Sequence, residues 1–307
     1  MTTNSEIESK SPHHKFLLNR IMALTRPLQP EPTGVIARNF PLPGIKAVLF
    51  DVYGTMVISA SGEGTCLEGR HDVRVHQALE SAGFRCEVAA GRRVMERLRQ
   101  VMECEARQIK QQGTEYPEID IRDIWKSVVR DLVAEGLVKG RVNRASIERL
   151  AVEYECRVNP VWPMPELEAT ITALHQAGLK IGIVSNAQFY TPLVLEAFPE
   201  TGWSAGYIDP HCCVWSFKLK EAKPSVRLVW QALEVLAVRY HIDSRETIVV
   251  GNDMLNDILP AVQSGCKAAL FAGDRRSYNP RPTDSRCVSL QPDLVLTRMS
   301  QLLAVVQ

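Results

Sequence analysis

Short unbroken apolar runs alternate along this chain with longer stretches in which apolar residues recur every three or four positions. Residues 47–50, 180–184, 247–250 and 267–271 form the runs, each ending in a turn or in polar residues. Runs of this length, bounded by turn signals, read as strands of a parallel sheet buried on both faces. Helical spacing covers 166–177, which stops at Gly178, then 191–198, 224–238 and 256–264. Pro224 falls at a first-turn position, where its missing N–H costs nothing. Residues 214–217 read as extended, and 294–306 as an edge strand or a closing helix. Strand alternating with helix predicts an α/β fold: a doubly wound parallel sheet with right-handed crossovers.

More than a hundred residues separate the first two runs, far too many for one crossover. They have strong helical periodicity. Residues 73–82 stop at Gly83, and 90–109 carry Val94, Leu98, Val101 and Met102 on one face. Residues 121–132 place Ile121, Ile124, Trp125, Val128 and Leu132 at spacings of three and four, and 145–156 turn Ile147, Leu150 and Ala151 inward. The domain organisation is therefore a core of 45–62 and 163–307 interrupted by an all-helical insert, 63–162. Residues 55–65 read as a flexible hairpin or hinge into the insert, with Gly62 and Gly64 as its joints. Residues 1–44 hold Pro27, Pro30, Pro32, Pro41 and Pro43 and predict an extension that lies along the surface or is partly disordered, with a helical fragment over 15–24.

Composition narrows the function without naming it. Lys plus Arg is 36 against 35 for Asp plus Glu, a formal charge of +1 over 307 residues. Such a balance leaves no electrostatic footprint for nucleic acid or an anionic membrane. The apolar runs fall short of the ~20 residues of a membrane helix, and Phe16-Leu17-Leu18 is broken by Asn19-Arg20 before it resembles a secretory signal. Eight cysteines without a Cys-x-x-Cys pair predict reduced thiols in a cytoplasmic protein. His211 beside Cys212-Cys213 has the wrong spacing for a tetrahedral zinc site.

The chemistry sits at the strand ends. Ligands of open α/β sheets bind just past the carboxyl ends of the strands, which is where the first run delivers Asp51. A carboxylate there can act as a covalent nucleophile, or it can cap an ordinary loop. The second run ends in Ser185-Asn186, and Lys223-Pro224 opens a later helical stretch. The third run ends in Gly251-Asn252-Asp253, with Asp257 four residues beyond Asp253. Asp51, Asp253 and Asp257 together suit a hard cation such as Mg²⁺; alternatively, Asp253 caps the helix and Asp257 complements its dipole. Lys223 pairs with Asp51 or is a surface lysine. Ser185, Asn186 and Thr55 bond substrate oxygens or finish turns.

Taken in order, Asp51-Val52-Tyr53-Gly54-Thr55, Ser185-Asn186, Lys223 and the Asp253/Asp257 pair resemble the four motifs of the haloacid dehalogenase superfamily of hydrolases, over roughly residues 45–275. The resemblance implies Asp51 as nucleophile through a covalent aspartyl intermediate, with Ser185 and Lys223 assisting. It implies substrate contacts from Gly54, Thr55, Ser185 and Asn186. Mg²⁺ would be held by Asp51, the backbone carbonyl of Tyr53, Asp253 and Asp257. The helical insert would be a cap that excludes water and chooses the substrate.

Tyr53 divides the family. Phosphatases of the superfamily usually carry an Asp there as general acid and base, whereas Tyr53 looks like the metal-independent 2-haloacid dehalogenases, whose halide leaves without a proton. The acidic pair belongs to the phosphatase side, and no clear halide cradle is found; Arg70, Arg74 and Trp125 are the nearest substitutes in the cap. The expectation is a Mg²⁺-dependent hydrolase of a small, anionic phosphorylated metabolite, with haloacid dehalogenation as the alternative. A third reading, from another class, is a non-catalytic binding module on the same fold. Substrate identity and oligomeric state are not written in these motifs.

Overall fold

The computed structural model describes residues 11–62 and 71–304. Expectations that fall on 1–10, on the second half of the hinge with Gly64, and on Arg70 lie outside the described residues. Six parallel strands form the main sheet: β1 (Ala47–Phe50), β4 (Lys180–Ser185), β5 (Cys213–Trp215), β6 (Thr247–Gly251), β7 (Lys267–Phe271) and β8 (Leu294–Leu296), in the order β5-β4-β1-β6-β7-β8. After β1 the chain builds outward through β4 and β5, then returns to the other side of β1 with β6. The order therefore reverses at β1, where an open sheet forms its ligand crevice.

Both faces of the sheet are buried, which is why its strands are unbroken apolar runs. Val48 and Phe50 of β1 enter one apolar cluster, and Ala47 and Leu49 enter the other. The second cluster is closed by Leu228, Val229, Ala232 and Leu236 of α9 (Arg227–Tyr240). The first continues into the insert, whose helices are α2 (His71–Ser81), α3 (Gly91–Gln111), α4 (Ile121–Ala134) and α5 (Arg144–Val158). The predicted periodic positions Val94, Leu98, Ile124, Trp125, Val128, Leu132, Ile147, Leu150 and Ala151 are all buried.

Chain entry to and exit from the insert form a separate two-stranded antiparallel sheet, β2 (Val57–Ser59) with β3 (Val161–Pro163), pairing Val57 with Pro163 and Ser59 with Val161. Three residues of the expected hinge, 57–59, are thus a paired strand. β3 left no sequence signal, being three residues long and ending in proline.

Other boundaries shift for local reasons. Pro224 does not open a helix: the Lys223–Pro224 peptide is cis, Ser225 N donates to Ala222 O at 3.1 Å to close a turn, and α9 starts at Arg227. Residues 256–264 divide into a π-helical turn, Met254–Ile258, and α10 (Leu259–Gln263). The extended reading of 214–217 holds through Trp215, after which α8 (Ser216–Leu219) makes a single turn. The segment from 294 provides both readings, strand β8 followed by a 3₁₀ helix, Met299–Ala304. The remaining core helices are α6 (Leu167–Gln176) and α7 (Thr191–Ala197).

The described part of the extension, 11–44, contains the helix that the sequence predicts over 15–24. Helix α1 (Pro12–Leu24), capped by Ser11, buries Leu17 and Ile21 between α5 of the insert and α7 of the core. His13 pairs with Glu148 of α5 and His14 with Glu196 of α7, both at 2.8 Å, while Arg20 grips Glu153 of α5. Beyond it the chain runs extended, and Arg38 exchanges two backbone hydrogen bonds of 2.8 Å with Val295, covering part of the β8 edge.

Candidate active site

Parallel register aligns the ends of three strands. Phe50 lies opposite Ile183 of β4 and Val250 of β6, so Asp51, Ser185-Asn186 and Asn252-Asp253 emerge at one edge of the sheet. Asp51 N donates to Val250 O at 2.9 Å, fixing the nucleophile candidate's backbone to β6. Its Oδ1 accepts from Lys223 Nζ at 2.7 Å and from Ser185 Oγ at 3.0 Å. Its Oδ2 has no hydrogen-bond partner among the described residues, and Asp51 lines a cleft of about 350 Å³.

Lys223 is buried and spends its three protons on Asp51, on Asp257 Oδ1 at 2.5 Å and on Val184 O at 3.2 Å. Burial pulls its pKa down, but Asp257 and Asp51 together outweigh that pull and hold it above the ordinary lysine value as an ammonium. Asn186 sets the lysine's backbone: its Oδ1 accepts from Lys223 N at 2.7 Å and its Nδ2 donates to Lys223 O at 3.3 Å. The amide expected to touch substrate is thereby occupied as a clamp.

Asp257 reaches back over the strand end, where its Oδ2 accepts from Asp253 N at 3.0 Å. Only glycine allows this, since a Cβ on Gly251 would stand 2.2 Å from Asp257 Cγ. Burial raises the Asp257 pKa to about 7, with Asp51 and Asp253 adding to the rise and Lys223 opposing it.

Asp253 faces a different task. It caps the π-helical turn, accepting from Leu255 N at 2.7 Å and Asn256 N at 3.1 Å, and its other oxygen takes Asn256 Nδ2 at 3.0 Å and the Arg281 guanidinium at 2.6 Å. Thr55 is fully buried and donates to Asn252 Oδ1 at 2.9 Å, while Gly54 N is spent on Val57 O at 2.7 Å. Both organise the turn after Asp51. The Tyr53 hydroxyl pairs with Thr191 Oγ1 at 3.0 Å, and burial pushes its pKa well above the usual phenol range.

Of the expected residues, Asp51, Tyr53, Asn186, Lys223, Asp253 and Asp257 line the cleft, whereas Ser185, Gly54 and Thr55 stand behind it. Trp125 is buried inside the insert, edge-on to Tyr154, and Arg74 is not in the cleft wall. Ser277 and Arg281 line the cleft without having been anticipated. They belong to the loop after β7, whose polar, proline-broken sequence has no periodicity; its position past a strand's carboxyl end is the one signal that points to it.

The donor set fits a hard cation in part. Asp51 lines the cleft with its Oδ2 unbonded among the described residues, the Tyr53 carbonyl accepts no backbone hydrogen bond among them, and Asp257 adds a second carboxylate. Two carboxylates and a carbonyl, completed by waters and substrate, suit Mg²⁺. Asp253 does not fit, because cap and guanidinium saturate both its oxygens. Among the described residues no three His, Cys, Asp or Glu side chains gather round one point.

Comparison with known proteins shows the family. The profile of haloacid dehalogenase-like hydrolases matches residues 45–265. A phosphoglycolate phosphatase of Vibrio vulnificus is 32% identical over 143 residues, which make up 46% of this chain and 55% of that protein. Its counterpart in Vibrio parahaemolyticus is 32% identical over 144 residues, with the same shares. The chain thus spans about half the length of the curated relatives it matches. A crystal structure of a 2-haloacid dehalogenase from Pseudomonas syringae superposes with a TM-score of 0.51 at 17% identity, covering 84% of this chain and 96% of that one, a likeness of fold alone. The profile spans strands β1, β4, β5 and β6 with Asp51, Ser185, Lys223 and Asp257, and on that match this chain belongs to the haloacid dehalogenase-like hydrolase family.

Proposed function

We propose that the chain hydrolyses a small phosphoric monoester, with Asp51 as nucleophile and Mg²⁺ as cofactor. The observation that carries this reading is the Lys223 bridge, which holds one oxygen of Asp51 and one of Asp257 and leaves Asp51 Oδ2 without a hydrogen-bond partner among the described residues at a cleft that Asp51 lines. The curated relatives, which are phosphoglycolate phosphatases, support a small phosphorylated acid as substrate. Charge supports the cation. Among the described residues that line the cleft, Asp51, Asp253 and Asp257 face Lys223 and Arg281, a surplus of one negative charge that repels an anionic ester until a divalent cation offsets it.

In this reading Asp51 Oδ2 attacks phosphorus, the ester P–O bond breaks, and the leaving oxygen departs with the bonding pair. Water then attacks the aspartyl phosphate, releasing inorganic phosphate and restoring Asp51. Lys223 neutralises the carboxylate pair, and Ser185 keeps Asp51 oriented. Asp51, the Tyr53 carbonyl and Asp257 would hold Mg²⁺, which when bound would supply positive charge to offset that of the phosphoryl group. Asp253 takes the supporting role of holding the turn that presents Asp257. The free thiols of the described cysteines support a reducing, cytoplasmic setting.

Phosphate release from 2-phosphoglycolate and p-nitrophenyl phosphate, with Mg²⁺ and with excess chelator, tests the reading. Release that needs Mg²⁺ is the expected result. One observation favours a second reading: Tyr53 stands where a proton donor would, with its hydroxyl turned to Thr191. Halide release from 2-chloropropionate in chelator would establish haloacid dehalogenation instead, and inertness in both assays would leave a binding module.

A further inference from the structure

We propose that residues 116–121 of the insert position Lys223, with Glu118 and Gln188 as the positioning side chains; this rests on the phosphatase reading and adds what assembles its site. The loop between α3 and α4 reaches across to the core just ahead of Lys223. Ala222 N donates to Tyr116 O at 2.8 Å and Glu118 N donates to Lys220 O at 3.1 Å, so that Pro117 pairs with Glu221 in an antiparallel bridge. Within the core, Asn186 bonds both the N–H and the carbonyl of Lys223. The lysine's backbone is thus fixed twice, by a strand end of the core and, one residue earlier, by the insert.

Side chains reinforce the bridge. Glu118 Oε2 accepts from Ser216 Oγ at 2.8 Å, and its Oε1 accepts from Ile119 N at 3.0 Å and from Gln188 Nε2 at 3.2 Å. Hydrogen bonds to a carboxylate are the stronger kind. Gln188 Nε2 also donates to Ile119 O at 2.8 Å, and its Oε1 accepts from Ile121 N, at the start of α4, at 2.9 Å. Gln188 stands two residues beyond Asn186, and Ala187 N between them donates to Ser216 Oγ at 2.8 Å. One short stretch of the insert therefore grips both the segment that carries Asn186 and the segment that carries Lys223.

Tyr116, Glu118, Gln188 and Ser216 are not among the described residues that line the cleft, so their influence on the reaction runs through Asn186 and Lys223. Lys223 has little latitude. A lysine carries its charge on a flexible stem and does not fix its own head group, yet this ammonium is buried and committed to Asp51, Asp257 and Val184 O at 2.7, 2.5 and 3.2 Å. A backbone shift of about 1 Å, enough to cost about 10²-fold in rate, would break part of that set. Docking of the insert loop consequently sets the group that bridges the nucleophile and Asp257.

The full chain carrying Glu118→Ala, Gln188→Ala or Glu118→Gln is followed in two ways. One is phosphate release from p-nitrophenyl phosphate in Mg²⁺; the other is acetylation of Lys223 by acetic anhydride, read by peptide mass spectrometry, which needs no turnover. Each alanine variant should lower kcat by about 10- to 100-fold with a smaller change in KM, and should speed acetylation of Lys223 by about 10-fold. Glu118→Gln keeps an acceptor for Ile119 N and Gln188 and presents an amide to Ser216 Oγ, so it should recover most of both effects. Alkylation of Cys266, buried elsewhere in the core, should stay as slow as in the wild type. Unchanged acetylation of Lys223 in the alanine variants would overturn the proposal. So would faster acetylation matched by an equal gain at Cys266, which is general loosening, and faster acetylation with an unchanged kcat. No phosphate release from the wild type would overturn the phosphatase reading, and the acetylation separates that failure from a failure of the insert to hold the lysine.

Discussion

Lys223 Nζ lies 2.7 Å from Asp51 and 2.5 Å from Asp257, so one buried ammonium holds two carboxylates that would otherwise repel each other. Removing it leaves like charges desolvated and unpaired. Breaking a buried pair by deleting one partner costs about 3–5 kcal/mol. Lys223→Met should therefore lower the melting temperature as well as turnover, and added Mg²⁺ should recover part of the stability but not the rate. A melting temperature equal to that of the wild type would mean that the three groups are not coupled as the distances imply.

Asp51→Asn separates chemistry from architecture. The amide oxygen can still accept from Ser185 and Lys223, so the strand end should keep its geometry, yet the group can no longer form an acyl phosphate. Phosphate release should fall by at least about 10³-fold with an unchanged circular dichroism spectrum. A folded variant with near-normal turnover would remove Asp51 from the reaction.

Gly251 makes a sharper test of the site's geometry because it touches no substrate. A methyl group there would stand 2.2 Å from Asp257 Cγ, so Gly251→Ala must push the carboxylate off Asp253 N and away from Lys223. The apparent Mg²⁺ requirement should rise and the rate should drop. Activity and Mg²⁺ dependence equal to the wild type would show that Asp257 has no part in the cation site.

How far the sequence could be read follows from burial. β1, β4 and β6 are covered on both faces and therefore announce themselves as apolar runs, and the residues at their ends came with them. The insert's helices were legible for the same reason, as stripes facing a shared core. What escaped was held by few residues or by long-range contact. β3 is three residues long, and the roles of Asn186 and Asp253 depend on partners, Lys223 and Arg281, that are 37 and 28 positions away. Ser277 and Arg281 sit in a loop without periodicity, where only the topology above them points to function.

Helix α1 falls where the sequence predicts a helical fragment, and Leu17 and Ile21, four apart, are buried against α5 and α7. Ile21→Ala should cost about 2–5 kcal/mol, the penalty of a large-to-small change in a core, measurable by urea denaturation. A change below about 0.5 kcal/mol, the size of an exposed substitution, would show α1 to be a peripheral attachment.

On the proposed phosphatase reading, Tyr53 bears on how the leaving group departs. Its hydroxyl is turned toward Thr191 Oγ1 at 3.0 Å, and burial keeps the phenol protonated well above its usual range, so it is poorly suited to donating a proton in the cleft. Without a general acid, the rate of ester cleavage should fall steeply as the leaving-group pKa rises, making aryl phosphates much better substrates than alkyl phosphates. General acid catalysis is worth roughly 10²–10⁴-fold, so Tyr53→Asp should flatten the dependence chiefly by accelerating the alkyl esters. Tyr53→Phe keeps the ring and loses only the bond to Thr191, and it should leave the slope unchanged. Thermal melts of both variants separate misfolding from chemistry, since loss of the ring itself removes packing against the neighbouring apolar cluster. A shallow wild-type slope, unchanged in a folded Tyr53→Asp protein, would mean that a donor elsewhere already protonates the departing oxygen, and a shallow slope that steepens in Tyr53→Phe would make the phenol that donor.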